Sequence, residues 1–227
     1  KIMKLLLRLF IVILPWKLKR FCLTHFFNYE IHPTAKIGFS YIYPKHLIME
    51  ENTIIGHLNV AIHLDLIHME KEATIRQRNW ITGFPSDDKS HFQEYPNRKP
   101  CLIMKQDSAI TKQHIIDCTD TITIGEFTSI AGYGTQMLTH STSLKYNQQS
   151  CEPITIGHHC FVGTRSIILP GSILPNHCVL GAGSVLNKKM EEEYTLYGGV
   201  TAKNIKSLDK SLEYLNRTYR QKSRGYN

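Results

Sequence analysis

Between Ile156 and Leu186 a large apolar residue returns at every sixth position: Ile156, Val162, Ile168, Leu174, Leu180 and Leu186. Four residues after each of the first five stands a small one, namely Cys160, Ser166, Ser172, Cys178 and Ser184. A helix repeats near 3.6 and a strand at 2, so a period of six describes a short strand plus a tight bend, with one large side chain turned inward per unit. Hexapeptide repeats are the signature of a parallel β-helix. Three units close a triangular coil of about 18 residues, and successive coils stack roughly 4.8 Å apart. Every other segment of the chain has to be accommodated to that prism.

The spacing begins earlier and less regularly, with Ile31 and Ile37, then Ile48, Ile54 and Val60, then Ile75 and Ile81. It resumes at Ile110, Ile116 and Ile122 and shifts by two to Ile124 and Ile130, which reads as an irregularity at a corner. Phe84 to Pro100 interrupts it with Pro85, Ser86, Asp87, Asp88, Pro96 and Asn97, a loop composition, and Ser141 to Pro153 interrupts it again. Solenoids carry insertions at their corners, commonly on the binding face, so both excursions are expected above one cleft, the first as a flap. The organisation is therefore an N-terminal helical segment over 1–30, a β-helix over 31–206 with excursions 84–100 and 141–153, and a tail over 207–227. In that tail Leu208, Leu212 and Leu215 among charges predict a short amphipathic helix.

The N-terminal segment is apolar from Leu5 to Leu14 except for Arg8, with Lys1 and Lys4 before it and Lys17, Lys19 and Arg20 after Pro15. Such a run is shorter than the roughly 20 residues a spanning helix needs, and no small-residue cleavage site follows it. Two readings stay open: an interfacial helix over residues 1–20 that dips into lipid while its cations meet anionic headgroups, or a helix that caps the prism or packs on a neighbouring subunit. The formal net charge of +8 favours anionic partners, but no nucleic-acid-binding motif accompanies it. Cys22, Cys101, Cys118, Cys151, Cys160 and Cys178 stand singly, without a CxxC pair or a zinc-ligand spacing. This predicts free thiols, no metal centre and a reducing compartment. The expected location is cytoplasmic, peripheral at the inner face of the membrane if the first of those two readings of the N-terminal segment holds.

The hexads, the run Ile122-Thr123-Ile124-Gly125 through Ile130-Ala131-Gly132 to Leu138-Thr139-His140-Ser141, and the closing Gly198-Gly199-Val200-Thr201-Ala202-Lys203 together resemble the hexapeptide-repeat acyltransferase superfamily. Within it, the chain looks most like bacterial surface-polysaccharide O-acetyltransferases, with maltose and antibiotic acetyltransferases more distant. The resemblance covers roughly 31–206. It implies an all-β, left-handed parallel β-helix, a homotrimer with active sites between subunits, acetyl-CoA as co-substrate and a saccharide acceptor. The hand comes wholly from the resemblance, because a spacing of six is silent about it. Val200-Thr201 stands where the superfamily usually has a proline before Ala-Lys.

His140 lies where the repeat stops and an excursion begins, as the superfamily's catalytic histidine does. A neutral imidazole there can take the proton of an acceptor hydroxyl attacking a thioester. No Gly-x-Ser-x-Gly elbow points to an acyl-enzyme, so direct transfer is expected. Asp117 and His114, one coil upstream, are candidates to orient that histidine or to bind the acceptor. For coenzyme A the resemblance implies a groove along the outside of the prism. Gly163, Thr164, Gly181, Ala182 and Gly183 would give its pantetheine arm close approach, and Lys188, Lys189 and Lys203 would meet its phosphates. Competing readings are acetylation of a free sugar or small xenobiotic, a non-catalytic scaffold, and a metal-dependent hydratase using His57, His63 and His68, whose spacing misses the expected arrangement. A nucleotidyltransferase lacks support, because no glycine-rich nucleotide loop precedes the prism.

Overall fold

The computed structural model describes residues 2–218. Two helices, α1 (Ile2–Ile13) and α2 (Trp16–Phe26), precede three long sheets of seven, nine and seven strands. The chain visits the sheets in rotation, so they are the faces of a parallel β-helix. The first face runs from Glu30–Ile31 to Ile173–Leu174, the second begins at Lys36–Ile37, and the third runs from Tyr41–Tyr43 to Val185–Leu186. Inside lies a column of Ile, Leu, Val and Met side chains withdrawn from solvent.

Most corners from the first face to the second and from the second to the third share one local pattern. A residue in the left-handed region is followed by a small or polar buried residue, and the large inward side chain comes two positions later. Arg165, Ser166 and Ile168 form one such set, and His177, Cys178 and Leu180 another. The left-handed conformation costs a non-glycine residue on the order of 1 kcal/mol. Leu58, Arg78, Gln113, Phe127 and His159 nevertheless adopt it, so closure of the coil and not residue preference imposes the bend.

The same rule corrects the register expected for the early coils. Ile48, Ile54 and Val60 do not point inward; Leu47, Met49, Ile55 and Ala61 do, each nearly inaccessible. Adjacent strand residues face opposite sides, and Thr53 and Asn59, the buried corner residues, fix which of two neighbouring apolar residues is inside. The shift between Ile122 and Ile124 is likewise no corner irregularity. Both are buried on one strand, as are Leu102 with Met104 and Ile67 with Met69, so the first face is simply longer. Ile156 pairs with Leu174, 18 positions on, whereas Leu47 pairs with Ile67, 20 positions on.

Where the chain enters the third face, the buried corner residues form a ladder along the prism. Asn59 N donates to Ser40 Oγ at 2.9 Å, Asn79 N to Asn59 Oδ1 at 2.9 Å, and His114 N to Asn79 Oδ1 at 3.0 Å. Thr135 N then donates to His114 Nδ1 at 3.1 Å. With Nδ1 accepting, the proton sits on Nε2, 3.0 Å from Thr111 Oγ1. Burial pushes the His114 pKa down to about 4, so the ring is a neutral strut of the corner.

The ends of the prism differ from expectation. The N-terminal segment is two helices, because Pro15 lacks a donor and disfavours helix at Leu14. α2 closes the first coil: Leu23 is buried, and the buried Lys19 donates from Nζ to Gly38 O at 2.7 Å and Val12 O at 3.3 Å. At the other end an antiparallel hairpin, Thr195–Gly198 with Lys203–Ser207, completes the second face. The Val200–Thr201 peptide is cis. The expected helical tail is replaced over the described residues by a 3₁₀ turn, Glu213–Asn216; the rest of that expectation, 219–227, lies outside them. Asp209 turns its carboxylate onto Ser211 N at 2.8 Å, and the carbonyls of Leu215 and Arg217 accept from His177 at 2.6 Å and His159 at 2.9 Å instead of from a next helical turn.

His114 yields a stability prediction. Its folded pKa lies below the ordinary value, so between about pH 6.5 and pH 4 the unfolded chain binds the extra proton and stability falls as pH falls. His114→Asn, which keeps a side-chain acceptor for Thr135, should flatten that slope in urea titrations. His114→Ala should cost about 1–3 kcal/mol at neutral pH.

Candidate active site

The edge where the third face turns back to the first gathers segments distant in sequence. Excursion 84–100 leaves from it after strand Trp80–Thr82, the turn Asp117 to Thr121 forms the next coil, and His140 follows strand Gln136–Leu138 one coil further. Excursion 141–153 is a hairpin on this edge, with His140–Ser143 antiparallel to Gln148–Cys151. Both excursions therefore stand on one edge of the prism.

Asp117 sits opposite Leu138 in the parallel ladder, which brings its carboxylate beneath the next coil. Its side chain is 6% exposed, and Oδ2 lies 2.7 Å from His140 Nδ1. Thr119 Oγ1 donates to Asp117 Oδ1 at 2.7 Å, and Thr139 N donates to Oδ2 at 3.2 Å. Burial alone would raise the carboxyl pKa, but the hydrogen bonds from His140, Thr119 and Thr139 outweigh it and hold the group below the usual carboxylate value. An ionised carboxylate only accepts, so His140 Nδ1 carries a proton and Nε2 is left as the basic nitrogen. The Asp117 hydrogen bond raises the His140 pKa against the opposing effect of partial burial.

The first excursion walls this pair. Phe84 and Phe92 meet the His140 ring edge-on, with centroids 5.9 and 5.8 Å away. Arg98, 7% exposed, pins the loop: its guanidinium donates to Pro85 O at 2.6 Å, to Thr119 O at 3.1 Å and to Phe84 O, and it lies 5.2 Å from the Phe92 ring centroid. Arg98, Thr119, Phe84 and Phe92 were not among the residues expected at the site. A lone arginine inside a Pro- and Asp-rich loop was the available signal for the first. His114, in contrast, stays away from His140, committed to the corner ladder.

The residues expected to hold a coenzyme divide between two edges. Gly163, Thr164, Gly181, Ala182 and Gly183 lie where the second face turns to the third, with Lys203 beside them through its pairing with Gly198. A Cβ on Gly163 would fall 2.5 Å from Ala182 N, so this glycine serves coil stacking. One on Gly181 would meet nothing nearer than 3.5 Å, and one on Gly183 nothing within 4 Å. Thr164 Oγ1 donates to Tyr133 O at 2.8 Å, tying one coil to the next. Lys188 and Lys189 are exposed but stand on the His140 edge, two coils past it, because six residues beyond Gly183 carry the chain to the next corner.

His57, His63 and His68 do not converge: His57 Nδ1 accepts from Phe39 N at 3.1 Å, and His68 Nε2 lies 2.9 Å from Glu50. Among the described residues no group of three or more His, Cys, Asp or Glu could hold a metal ion.

Residues 153–188 match the model of the hexapeptide repeat of succinyl-transferase, so that stretch carries a hexapeptide repeat. Over 108 residues it is 30% identical to the galactoside O-acetyltransferase of Escherichia coli (strain K12), a match covering 45% of this chain and 53% of that protein. The chain thus spans about half the length of the curated relative it matches. AntD, an N-acyltransferase from Bacillus cereus whose mutant was crystallised with dTDP and coenzyme A, aligns with a TM-score of 0.53 at 13% identity, over 82% of this chain and 88% of that one. A hexapeptide-repeat acetyltransferase of Vibrio cholerae aligns with a TM-score of 0.49 at 24% identity, over 61% of this chain and 72% of that one.

Removing the Arg98 clamp should free the excursion. Arg98→Ala takes the guanidinium from the Phe84 and Thr119 carbonyls and leaves Pro85 O with Asp88 N alone, at 3.0 Å, and limited proteolysis within 84–100 should accelerate roughly tenfold or more while the prism stays folded by circular dichroism.

Proposed function

We propose that this hexapeptide-repeat protein is an acetyl-CoA-dependent O-acetyltransferase that modifies a hydroxyl of a sugar or glycan. The observation that carries the reading is the 2.7 Å contact of His140 Nδ1 with the buried Asp117 carboxylate, which leaves Nε2 as a base on the flap-bordered edge. Asp117 holds the tautomer and stabilises the imidazolium that forms, so its role is positioning. Nε2 takes the acceptor's hydroxyl proton as that oxygen bonds to the thioester carbonyl carbon. The tetrahedral intermediate then expels the coenzyme thiolate, which takes the proton from Nε2; an acetyl ester and free coenzyme A result, with no acyl-enzyme. General base assistance of this kind contributes about 10² to 10⁴ in rate.

The donor would run along the glycine-bearing edge, with its thioester reaching His140 from between two chains of a left-handed, trimeric assembly. The outward row Val60, Trp80, Ile115, Gln136, Ile167 and Val185, in register on the third face, supports self-association. Trp80 is 50% and Ile115 45% exposed in the single chain, a flat apolar strip suited to another copy. Light scattering of the purified protein should therefore give about three times the chain mass.

His140→Ala should lower kcat by about 10² to 10⁴ in a thiol-release assay with glycan acceptors. An unchanged kcat overturns the assignment, and calorimetry showing no acetyl-CoA binding favours the scaffold reading. The base acts when neutral, so the rate should rise with pH through a limb lying above the ordinary histidine value, because Asp117 raises the His140 pKa. Asp117→Asn should move that limb downward and lower kcat about ten- to hundredfold. Gly181→Ala, which has room within its own chain, should raise the KM for acetyl-CoA and leave thermal stability unaltered.

A further inference from the structure

A cavity lies away from His140, further along the same edge towards the N terminus. It encloses about 550 Å³ between α1, the end of α2, the edge turns at Lys45 and His63, and the base of the first excursion at Pro85 and Asp87. Arg8 enters it from α1. Its guanidinium lies 4.9 Å from the Tyr43 ring centroid and 5.9 Å from that of Phe27, and its Nε is buried without a hydrogen-bond partner. Aromatic rings steady a cation but supply no in-plane acceptor for the guanidinium fork. Lys45, across the cavity, already holds Asp65 at 2.9 Å and Asp87 at 2.7 Å, so these carboxylates do not satisfy Arg8. His46 and His63, both exposed, offer further N–H donors on the same wall.

Beside this cavity α1 leaves its apolar side uncovered. Met3 is 83% exposed, Leu6 60%, Phe10 58% and Ile13 62%, and Leu18, Phe21 and Phe26 extend the patch onto α2. A helix of 12 residues is about 18 Å long, and no helix among the described residues is long and apolar enough to cross a membrane. The first 29 residues contain six Lys or Arg and no Asp or Glu. Lys19 is buried and Arg20 donates to Ile31 O, but Lys17 is exposed and Arg8 opens into the cavity; an apolar stripe in a segment of this charge, with no acid to repel an anionic surface, suits a lipid interface better than a second copy, which would bring like charges together.

We propose that α1 lies in the surface of an anionic bilayer and that the Arg8 cavity binds the phosphate of a lipid headgroup. The guanidinium donates to the phosphate oxygens, His46 and His63 stand at the cavity mouth, and the Met3, Leu6, Phe10 and Ile13 stripe enters the acyl boundary. The edge that carries His140 then runs away from the lipid surface, with the first excursion between the cavity and the base.

Co-sedimentation of the full chain with vesicles tests this. Wild type should bind vesicles of phosphatidylcholine with phosphatidylglycerol, weakly bind vesicles of phosphatidylcholine alone, and lose binding as salt rises. Arg8→Gln, with thermal melting checked against wild type, should weaken binding to the anionic vesicles roughly fivefold. Arg8→Lys, which keeps the charge without the fork, should fall between the two. The double variant Leu6→Asp, Phe10→Asp should abolish sedimentation. The proposal is overturned if wild type ignores anionic vesicles, if Arg8→Gln binds them like wild type, or if inorganic phosphate at matched ionic strength displaces the protein fully, which would make the cavity a site for soluble phosphate. It is overturned equally if the double variant lowers the mass by light scattering while wild type binds no vesicles, which would assign the stripe to another copy.

Discussion

The structure depends on how the corners are closed. At most bends into the second and third faces the chain passes through a left-handed residue and then buries a small or polar one, and where the third face begins that residue's side chain accepts the N–H of the corresponding residue one coil on. Ser40, Asn59, Asn79 and His114 hand this bond along the prism. A buried N–H left alone costs about 1–3 kcal/mol, so the ladder holds successive coils in one register. Register decides which side chains share an edge, and one such edge brings Asp117 and His140 together.

Asp117 and His140 show the consequence. They are 23 residues apart, yet the parallel ladder sets Asp117 opposite Leu138, two residues before the histidine. The turn that follows each strand reaches the same edge once per coil, so a carboxylate in one turn supports an imidazole in the next. Burial alone would favour the neutral acid, and the donors converging on Asp117 reverse that preference. Charge on Asp117 in turn fixes the histidine tautomer. The excursion adds hydrophobic walls through Phe84 and Phe92, held by an arginine that satisfies backbone carbonyls rather than a carboxylate.

Much of this was legible in the sequence where the repeat is strict. From Ile156 to Leu186 every inward residue and every small corner residue was identified, and His140 stood out because the repeat stops there. Asp117 was readable as a neighbour one coil upstream. In the early coils the spacing of six leaves the phase ambiguous, because Ile-Ile and Leu-Ile-Met runs offer an apolar residue on either side of the strand; Thr53 and Asn59, the buried corner residues, select Ile55 and Ala61. His114 looked catalytic by type and proximity, and only the partners of its two ring nitrogens reveal a strut. Arg98 was invisible because its acceptors are carbonyls, which no side-chain pattern records. The leucines of the tail predict a helix, whereas His159 and His177 take the carbonyls a helix would use.

The division of the residues proposed to hold the donor follows from the same arithmetic that built the fold. Six residues advance the chain by one corner, so Gly181 to Gly183 and Lys188 to Lys189 cannot share an edge, while Lys188 and Lys189 must share one with His140. The width of a face, about 15–20 Å, separates the glycine edge of a chain from its own base. A coenzyme stretched along those glycines therefore meets a histidine most directly if a second prism sets its His140 edge alongside. The apolar row that includes Trp80 and Ile115 lies on the face between the two edges, where contact between prisms would join one chain's donor edge to another chain's base.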